Sequence, residues 1–330
     1  MNKILLERNK NNPIILPDES NSWESKAVFN CAILCHDDRI HMLYRAIGEY
    51  ENYISRLGYA SSTDGIRFDR SKDAAMSPEE DYEKYGIEDP RLVEIDRQIF
   101  LSYVILSGYV SQGPTASTAL ATTIDFKNFT RLGIITSIGS DNKDVVLFPE
   151  KTDLKSFNAE QEAGNTNKYL FLHRPSNWIG AKFGVDRPSI WLGEGNAITN
   201  FEKHTLLLKP EQEWEALKIG AGAPPVKTKE GWLIIYHGKD RQAVYRAGAA
   251  LLDLKDPTNV LGRTKKPILE PLEPYEKNGD VNNVVFPTGA CTIDGTLFVY
   301  YGAADKACCL ATTDLESLLD YILNDSYTNC

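Results

Sequence analysis

A short apolar or proline-marked entry, a polar turn, and an apolar strand ending in aromatic and polar residues recur five times along this chain. That recurrence restricts the fold more than any other feature. The first copy runs from Val28-Phe29-Asn30 through Asp37-Asp38 to Met42-Leu43-Tyr44-Arg45. The second opens at Glu88-Asp89-Pro90-Arg91, turns near Asp96-Arg97 and continues as Ile99-Phe100-Leu101-Ser102-Tyr103-Val104. Val145-Val146-Leu147-Phe148-Pro149 opens the third, which carries a polar insertion through Gly164-Asn165 and resumes as Tyr169-Leu170-Phe171-Leu172-His173-Arg174. The fourth starts at Ala223-Pro224-Pro225-Val226, turns at Glu230-Gly231 and ends Trp232-Leu233-Ile234-Ile235-Tyr236-His237-Gly238. The fifth is Val285-Phe286-Pro287-Thr288-Gly289, a turn at Asp294-Gly295, and Leu297-Phe298-Val299-Tyr300-Tyr301-Gly302.

Successive copies stand on average roughly 60 to 70 residues apart, room for a four-stranded blade with long loops. Third-strand signals follow at Leu57-Gly58-Tyr59-Ala60-Ser61-Ser62, Ser117-Thr118-Ala119-Leu120-Ala121-Thr122-Thr123 and Ala247-Gly248-Ala249-Ala250-Leu251-Leu252-Asp253-Leu254. One helix is predicted, at the end, where Thr313 and Glu316 make a capping-box pattern ahead of Leu315, Leu318, Leu319 and Ile322, and it is expected to pack on the outside. The expected fold is all-β: a five-bladed β-propeller with a short C-terminal helix, residues 1–330 forming one catalytic domain. In such a fold the hairpin entries converge on one central funnel, so functional residues are drawn from the whole chain.

Composition excludes several functions. The 330 residues carry 36 Lys and Arg against 46 Asp and Glu, a net charge of −10 with no basic run, which argues against a nucleic-acid partner. A few converging cations in a cleft still suffice for an anionic ligand. The apolar run after Met1 is too short for a secretory leader and no stretch is long enough to span a bilayer, so a cytoplasmic protein without membrane contact is expected. Homo-oligomerisation stays open. Cys31, Cys35, Cys291, Cys308, Cys309 and Cys330 show no C-x-x-C pair and no neighbouring histidine ligands, and read as reduced thiols rather than a metal site. Cys31 and Cys35 are spaced to face one side of a strand.

Asp89 precedes Pro90, which restricts it to extended geometry and aims its carboxylate inward as a general acid requires; the plain alternative is a surface Asp-Arg pair. Arg45, Arg174 and His237 near the ends of hairpin strands, with Lys218 just before Ile219-Gly220-Ala221-Gly222, would converge in a propeller to form an oxyanion clamp, although each alone reads as a solvated cation. Trp23, Asn30, Tyr103, Tyr245 and Asp305 supply rings and hydrogen-bonding groups suited to sugars, strand packing being the alternative for the tyrosines.

With these pieces in place the chain resembles glycoside hydrolase family 130, the mannoside phosphorylases and related mannosidases. The segments that carry the resemblance are Trp23-Glu24, Ala27-Val28-Phe29-Asn30, Leu43-Tyr44-Arg45-Ala46, Glu88-Asp89-Pro90-Arg91, residues 144–149, His173-Arg174-Pro175, Lys218-Ile219-Gly220, Tyr236-His237-Gly238 and residues 283–287. The resemblance implies a five-bladed propeller in which Asp89 is the catalytic acid, protonating the leaving oxygen through a hydroxyl of the transferred mannose. It implies phosphate binding by Arg45, Arg174, Lys218 and His237, and sugar binding by Asn30, Tyr245 and Asp305. Cys31 departs from it, standing where proline is more usual.

An inverting hydrolase needs a second carboxylate to activate water, whereas phosphate arrives already anionic and needs positioning. One acid with a cation clamp therefore favours phosphorolysis of a β-mannoside to α-mannose 1-phosphate, with inorganic phosphate as co-substrate and neither metal nor organic cofactor. The alternatives are a β-mannosidase, with Glu24 and Glu88 as candidate acid and base, and a non-catalytic sugar-binding propeller. Acceptor choice is assigned to loops 108–118 and 151–167.

Overall fold

The recurring units fold as the inner hairpins of five blades, and their turn residues show why. Asp37-Asp38, Asp96-Arg97 and Asp294-Gly295 all take left-handed backbone angles, φ 47° and 57°, 51° and 66°, 47° and 76°. Paired left-handed residues twist in the sense of the flanking strands, which closes a tight two-residue hairpin. The computed structural model describes residues 6–110, 113–137, 141–153 and 167–327; Cys330 and most of loop 151–167 lie outside them.

The described residues form five antiparallel sheets arranged as a propeller. The first comprises Ala27–His36, Arg39–Ile47, Ser55–Ser62 and Asp69–Arg70; the second Ile87–Ile95, Gln98–Val110, Gly113–Thr123 and Phe129–Ile134. The third comprises Asn142–Leu147, Asn167–Pro175, Ile190–Gly195 and Lys203–Leu208. Lys218–Ala221, Trp232–Lys239, Tyr245–Leu252 and Val260–Arg263 make the fourth, and Val285–Ile293, Thr296–Ala303 and Ala307–Asp314 build the fifth, whose outer strand is Glu7–Arg8 from the other end of the chain. Five large apolar cores follow, one between each pair of neighbours: Leu43 with Leu101, Val93 with Leu147, Leu172 with Ile234, Leu233 with Val299, and Met42 with Tyr300 across the closing seam.

Two local expectations are corrected. The inner strand of the fourth blade begins at Lys218, upstream of Ala223, because Pro224 and Pro225 have no N–H for the ladder, which resumes only at Val226–Lys227. The terminal helix Leu315–Tyr327 is capped by Asp314, whose Oδ1 accepts from the Ser317 N–H at 2.8 Å, while Thr313 still belongs to the preceding strand. As expected, the helix packs outside, burying Leu318, Leu319 and Ile322 against the fourth and fifth blades. No helix among the described residues is long and apolar enough to cross a membrane.

A buried tie recurs in four blades. Glu24, Glu83, Glu215 and Glu276 are each 0% exposed. Each accepts a hydroxyl hydrogen bond from a second-strand tyrosine: Tyr44 at 2.8 Å, Tyr103 at 2.7 Å, Tyr236 at 2.8 Å and Tyr301 at 2.8 Å. Each also pairs with an arginine of the outermost strand: Arg70 at 3.3 Å, Arg131 at 2.9 Å, Arg263 at 2.7 Å and Arg8 at 2.8 Å. A buried carboxylate persists only when paired and hydrogen-bonded, so the tie fixes each outer strand to its blade. Arg8 thereby plays in the fifth blade the part that Arg70 plays in the first, which makes Glu7–Arg8 the true fourth strand and closes the ring. In the third blade His173 takes the tyrosine's place, bonded to Asn142 and His204.

Cys31, Cys35, Cys291, Cys308 and Cys309 carry free thiols. Cys31 packs with Cys291 and Cys308 of the fifth blade in one apolar core.

Candidate active site

Three inner strands are interrupted at matching places by a bulge: between Phe29 and Ala32, Glu88 and Arg91, and Lys143 and Val146. The bulged residues are Asn30, Asp89 and Asp144, with φ of 51°, 48° and 60°. Asn and Asp are the side chains that tolerate this left-handed geometry, and a bulge re-aims the side chain it carries. Asp89 is therefore not held extended by Pro90 as expected; the bulge, not the proline, turns its carboxylate. Arg91 buttresses that bend, its buried guanidinium donating to the carbonyls of Asp89 and Pro90, each at 3.0 Å, and to that of Gly222.

Asn30 Nδ2 donates to Asp89 Oδ1 at 2.7 Å. Arg45 binds Glu88 through Nη2, and its Nη1 lies 3.6 Å from Asp89 Oδ1. Lys143 Nζ stands 3.7 Å from the other Glu88 oxygen. Asp305, also left-handed at φ 49°, faces this group. Burial pushes its carboxyl up to about 7, Arg45 works against that, and the negative charge of Asp89 adds to it.

A second group centres on Asp144. Arg174 Nε donates to its Oδ2 at 2.6 Å, and His237 Nε2 lies 3.7 Å from the same oxygen. Burial opposes the charge of Asp144, but Arg174, His237 and Lys218 outweigh it and hold the carboxyl well below the usual range. Gly220 is required here, since a Cβ would lie 2.1 Å from Asp144 Oδ2 and 2.5 Å from His237 Cε1. Burial and then Arg174 push the Lys218 ammonium down to about 7. His237 is fully buried, and burial takes its imidazole down to about 3, so it stands neutral rather than as the cation expected from its type. Neither of its ring nitrogens has a hydrogen-bond partner among the described residues. Tyr245 completes this side, its ring 5.4 Å from Lys218 Nζ and 4.9 Å from Lys239 Nζ, with burial raising its hydroxyl to about 12.

The structure thus brings Asn30, Arg45, Asp89 and Asp305 into one group and Arg174, Lys218, His237 and Tyr245 into another. Asp89 and Asp144 line one small cavity. Two aromatic candidates are withdrawn. Tyr103 borders that cavity, but its ring lies in the core between the first two blades and its hydroxyl belongs to Glu83, so it has no hydrogen bond to offer a sugar. Trp23 stacks on Tyr44 and donates Nε1 to the Lys72 carbonyl at 3.0 Å. Tyr103→Phe is expected to cost about 1.5–3 kcal/mol of unfolding free energy, the worth of a hydrogen bond to a charged group, and to leave the mannoside KM at its wild-type value. Denaturant unfolding alongside steady-state kinetics checks both halves. Asp144 and Arg91 were missed as individual residues, although both stand inside the quoted segments; an Asp before Val145-Val146 in line with Asn30 and Asp89 was the available signal.

A five-bladed propeller in which Asp89 and Asp144 line one cavity is, by its family match, a carbohydrate-active enzyme. The chain belongs to glycoside hydrolase family 130: a family model described as β-1,4-mannooligosaccharide phosphorylase matches residues 6–324. It is 39% identical over 322 residues to a 1,2-β-oligomannan phosphorylase of Thermoanaerobacter sp. (strain X514), covering 96% of this chain and 99% of that one. It is 35% identical over 325 residues to a β-1,2-mannobiose phosphorylase of the same organism, covering 95% and 98%. Among solved structures, the β-1,2-mannobiose phosphorylase of Listeria innocua in complex with β-1,2-mannobiose is similar with a TM-score of 0.80 and 29% identity, covering 98% and 99%.

Proposed function

We propose that the protein is an inverting phosphorylase that transfers mannose from a β-1,2-linked manno-oligosaccharide to inorganic phosphate, releasing α-mannose 1-phosphate. The observation that carries this reading is that Asp89, held by the Asn30 amide and by an Arg45 it shares with Glu88, lines one small cavity with Asp144, around which Arg174, Lys218 and His237 gather as a site for an anion. The carboxylates a hydrolase would recruit are already engaged. Glu24 is held by Tyr44 and Arg70, Glu88 by Arg45 and Lys143, and Asp144 by Arg174, so none of the three is placed to activate water.

In this mechanism a phosphate oxygen forms the new bond at the anomeric carbon while the glycosidic C–O bond breaks on the opposite face. Asp89 supplies the proton that the leaving oxygen takes up, and the phosphate ester returns one to it. Arg174 and Lys218 neutralise the nucleophile's charge and, with the neutral imidazole of His237, fix its direction of attack. Asn30 and Arg45 hold the Asp89 carboxylate, and Asp305 and Tyr245 offer hydrogen bonds to the mannose. Phosphate is the sole co-substrate on this reading, with no metal or organic cofactor. For the linkage, the family model and the relatives point differently; similarity over nearly the whole length to two enzymes named for β-1,2-linked mannosides is the more specific guide.

Purified protein given β-1,2-mannobiose is expected to release no mannose in phosphate-free buffer and to form α-mannose 1-phosphate once phosphate is added. Mannose release independent of phosphate would make the enzyme a hydrolase.

A further inference from the structure

We propose that the rim loop 48–54, between the second and third strands of the first blade, carries the subsite for the leaving sugar, built on Tyr50 and Tyr53; the assignment rests on the phosphorylase reading above. Tyr53 has φ 58°. A bulky side chain in the left-handed region is rare, and such strain persists where the surroundings over-determine it. The surroundings here are functional groups. The Tyr53 hydroxyl donates to Asp280 on the rim of the fifth blade, and its ring centroid lies 5.7 Å from the guanidinium carbon of Arg45. Tyr53 is thus one side chain removed from Asp89, because Arg45 stands between them.

Tyr50 stacks on Tyr53 with centroids 5.9 Å apart and planes 25° apart, yet remains 44% exposed. A half-exposed Tyr50 beside the Asp280 carboxylate, on a Tyr53 that also senses the charge of Asp305, is the combination that a neutral polyhydroxyl ring requires: a surface for its C–H face and acceptors for its hydroxyls. Position supports the same assignment. The anion site is built by the third and fourth blades, whereas Asp89, Arg45, Tyr53 and Asp280 come from the second, first and fifth. Displacement with inversion puts nucleophile and leaving group on opposite faces of the reacting carbon. With phosphate on the side of Arg174, the departing sugar lies on the side of Tyr53.

The test runs the reaction in the synthetic direction, with α-mannose 1-phosphate as donor and β-1,2-mannobiose as acceptor, following phosphate release. Tyr50→Ala is expected to raise the acceptor KM about tenfold, and Tyr53→Phe, which keeps the ring and loses only the hydroxyl, about threefold. Both should leave the KM for α-mannose 1-phosphate within about twofold of wild type. An unchanged acceptor KM overturns the proposal, as does a parallel rise in both KM values, which would make the pair a mere support for Arg45. Should the wild-type enzyme show no turnover, the phosphorylase reading falls separately. The subsite is then judged by calorimetric titration with β-1,2-mannobiose, where Tyr50→Ala must weaken binding about tenfold and equal binding overturns it.

Discussion

Asp89→Asn is expected to lower kcat by roughly 10²–10⁴-fold, the range that a positioned general acid contributes, while leaving substrate KM and unfolding close to wild type. The substitution is nearly isosteric, and its carbonyl oxygen still accepts the Asn30 Nδ2 hydrogen bond that holds residue 89 at 2.7 Å. Arg45 keeps Glu88 as a partner, so no buried cation is abandoned. What disappears is the proton that the leaving oxygen takes up. The measurement is phosphorolysis of β-1,2-mannobiose at saturating phosphate, with thermal unfolding as the control for folding. A loss smaller than about tenfold would remove Asp89 from the acid's role and leave Asp305, whose carboxyl is pushed up to about 7, as the group to test next.

Arg174→Ala is expected to act on the nucleophile's side. Arg174 cancels the charge of Asp144 from 2.6 Å, in a buried setting. Taking it away leaves the Asp144 carboxylate unpaired beside the proposed phosphate position, and truncating one partner of a buried charge pair at a binding site costs about 2–5 kcal/mol of affinity. The phosphate KM should therefore rise by roughly 30- to 4,000-fold, with much less change in the KM for the mannoside. The pH dependence gives a second readout. Lys218 sits near 7 because burial and then Arg174 depress it. Its ammonium is present below that pH and lost above it, so in the wild type the Lys218 contribution to phosphate binding fades as pH rises through 7. Without Arg174 the repulsion is relieved and the lysine pKa climbs, so that contribution should persist to more alkaline pH even as the overall affinity is poorer. The ionisation of phosphate itself is common to both proteins and cancels in the comparison. A KM change below about tenfold, or a pH profile that keeps its wild-type midpoint, would take Arg174 out of the anion site.

These two residues also show how far the sequence could be read. Asp89 and Arg174 stand in repeated hairpins, at positions that repeat logic alone marks as facing the axis. Tyr103 stands in the same register and was placed by the same logic, yet it serves the Glu83 tie. The signal that separates them was present but diffuse: the glutamates precede each blade's hairpin, and the small residues Gly58, Ala119, Gly248 and Cys309 lie opposite the four tyrosines. At Gly58 and Gly248 a Cβ would fall 2.2 Å and 2.5 Å from the ring it faces. A tie made of a glutamate, a tyrosine and an arginine from three separated segments has no local period, so a search for hairpins passes over it.

From sequence alone came the number of blades, the hairpin turns and the terminal helix, because alternation, turn chemistry and capping act between residues a few positions apart; the family came separately, from the resemblance its scattered segments carry. Tertiary structure alone decided the outer strands: Glu7–Arg8 and Asp69–Arg70 are two residues long, too short to carry any pattern, and exist because an arginine on each reaches a buried carboxylate. It also decided that burial keeps His237 neutral, that Asp144 is the counter-ion of Arg174, and that Tyr53 reaches the neighbourhood of Asp89. Charge state and partnership depend on which groups from other blades enclose a side chain, and for a site assembled at the axis those neighbours lie far away along the chain.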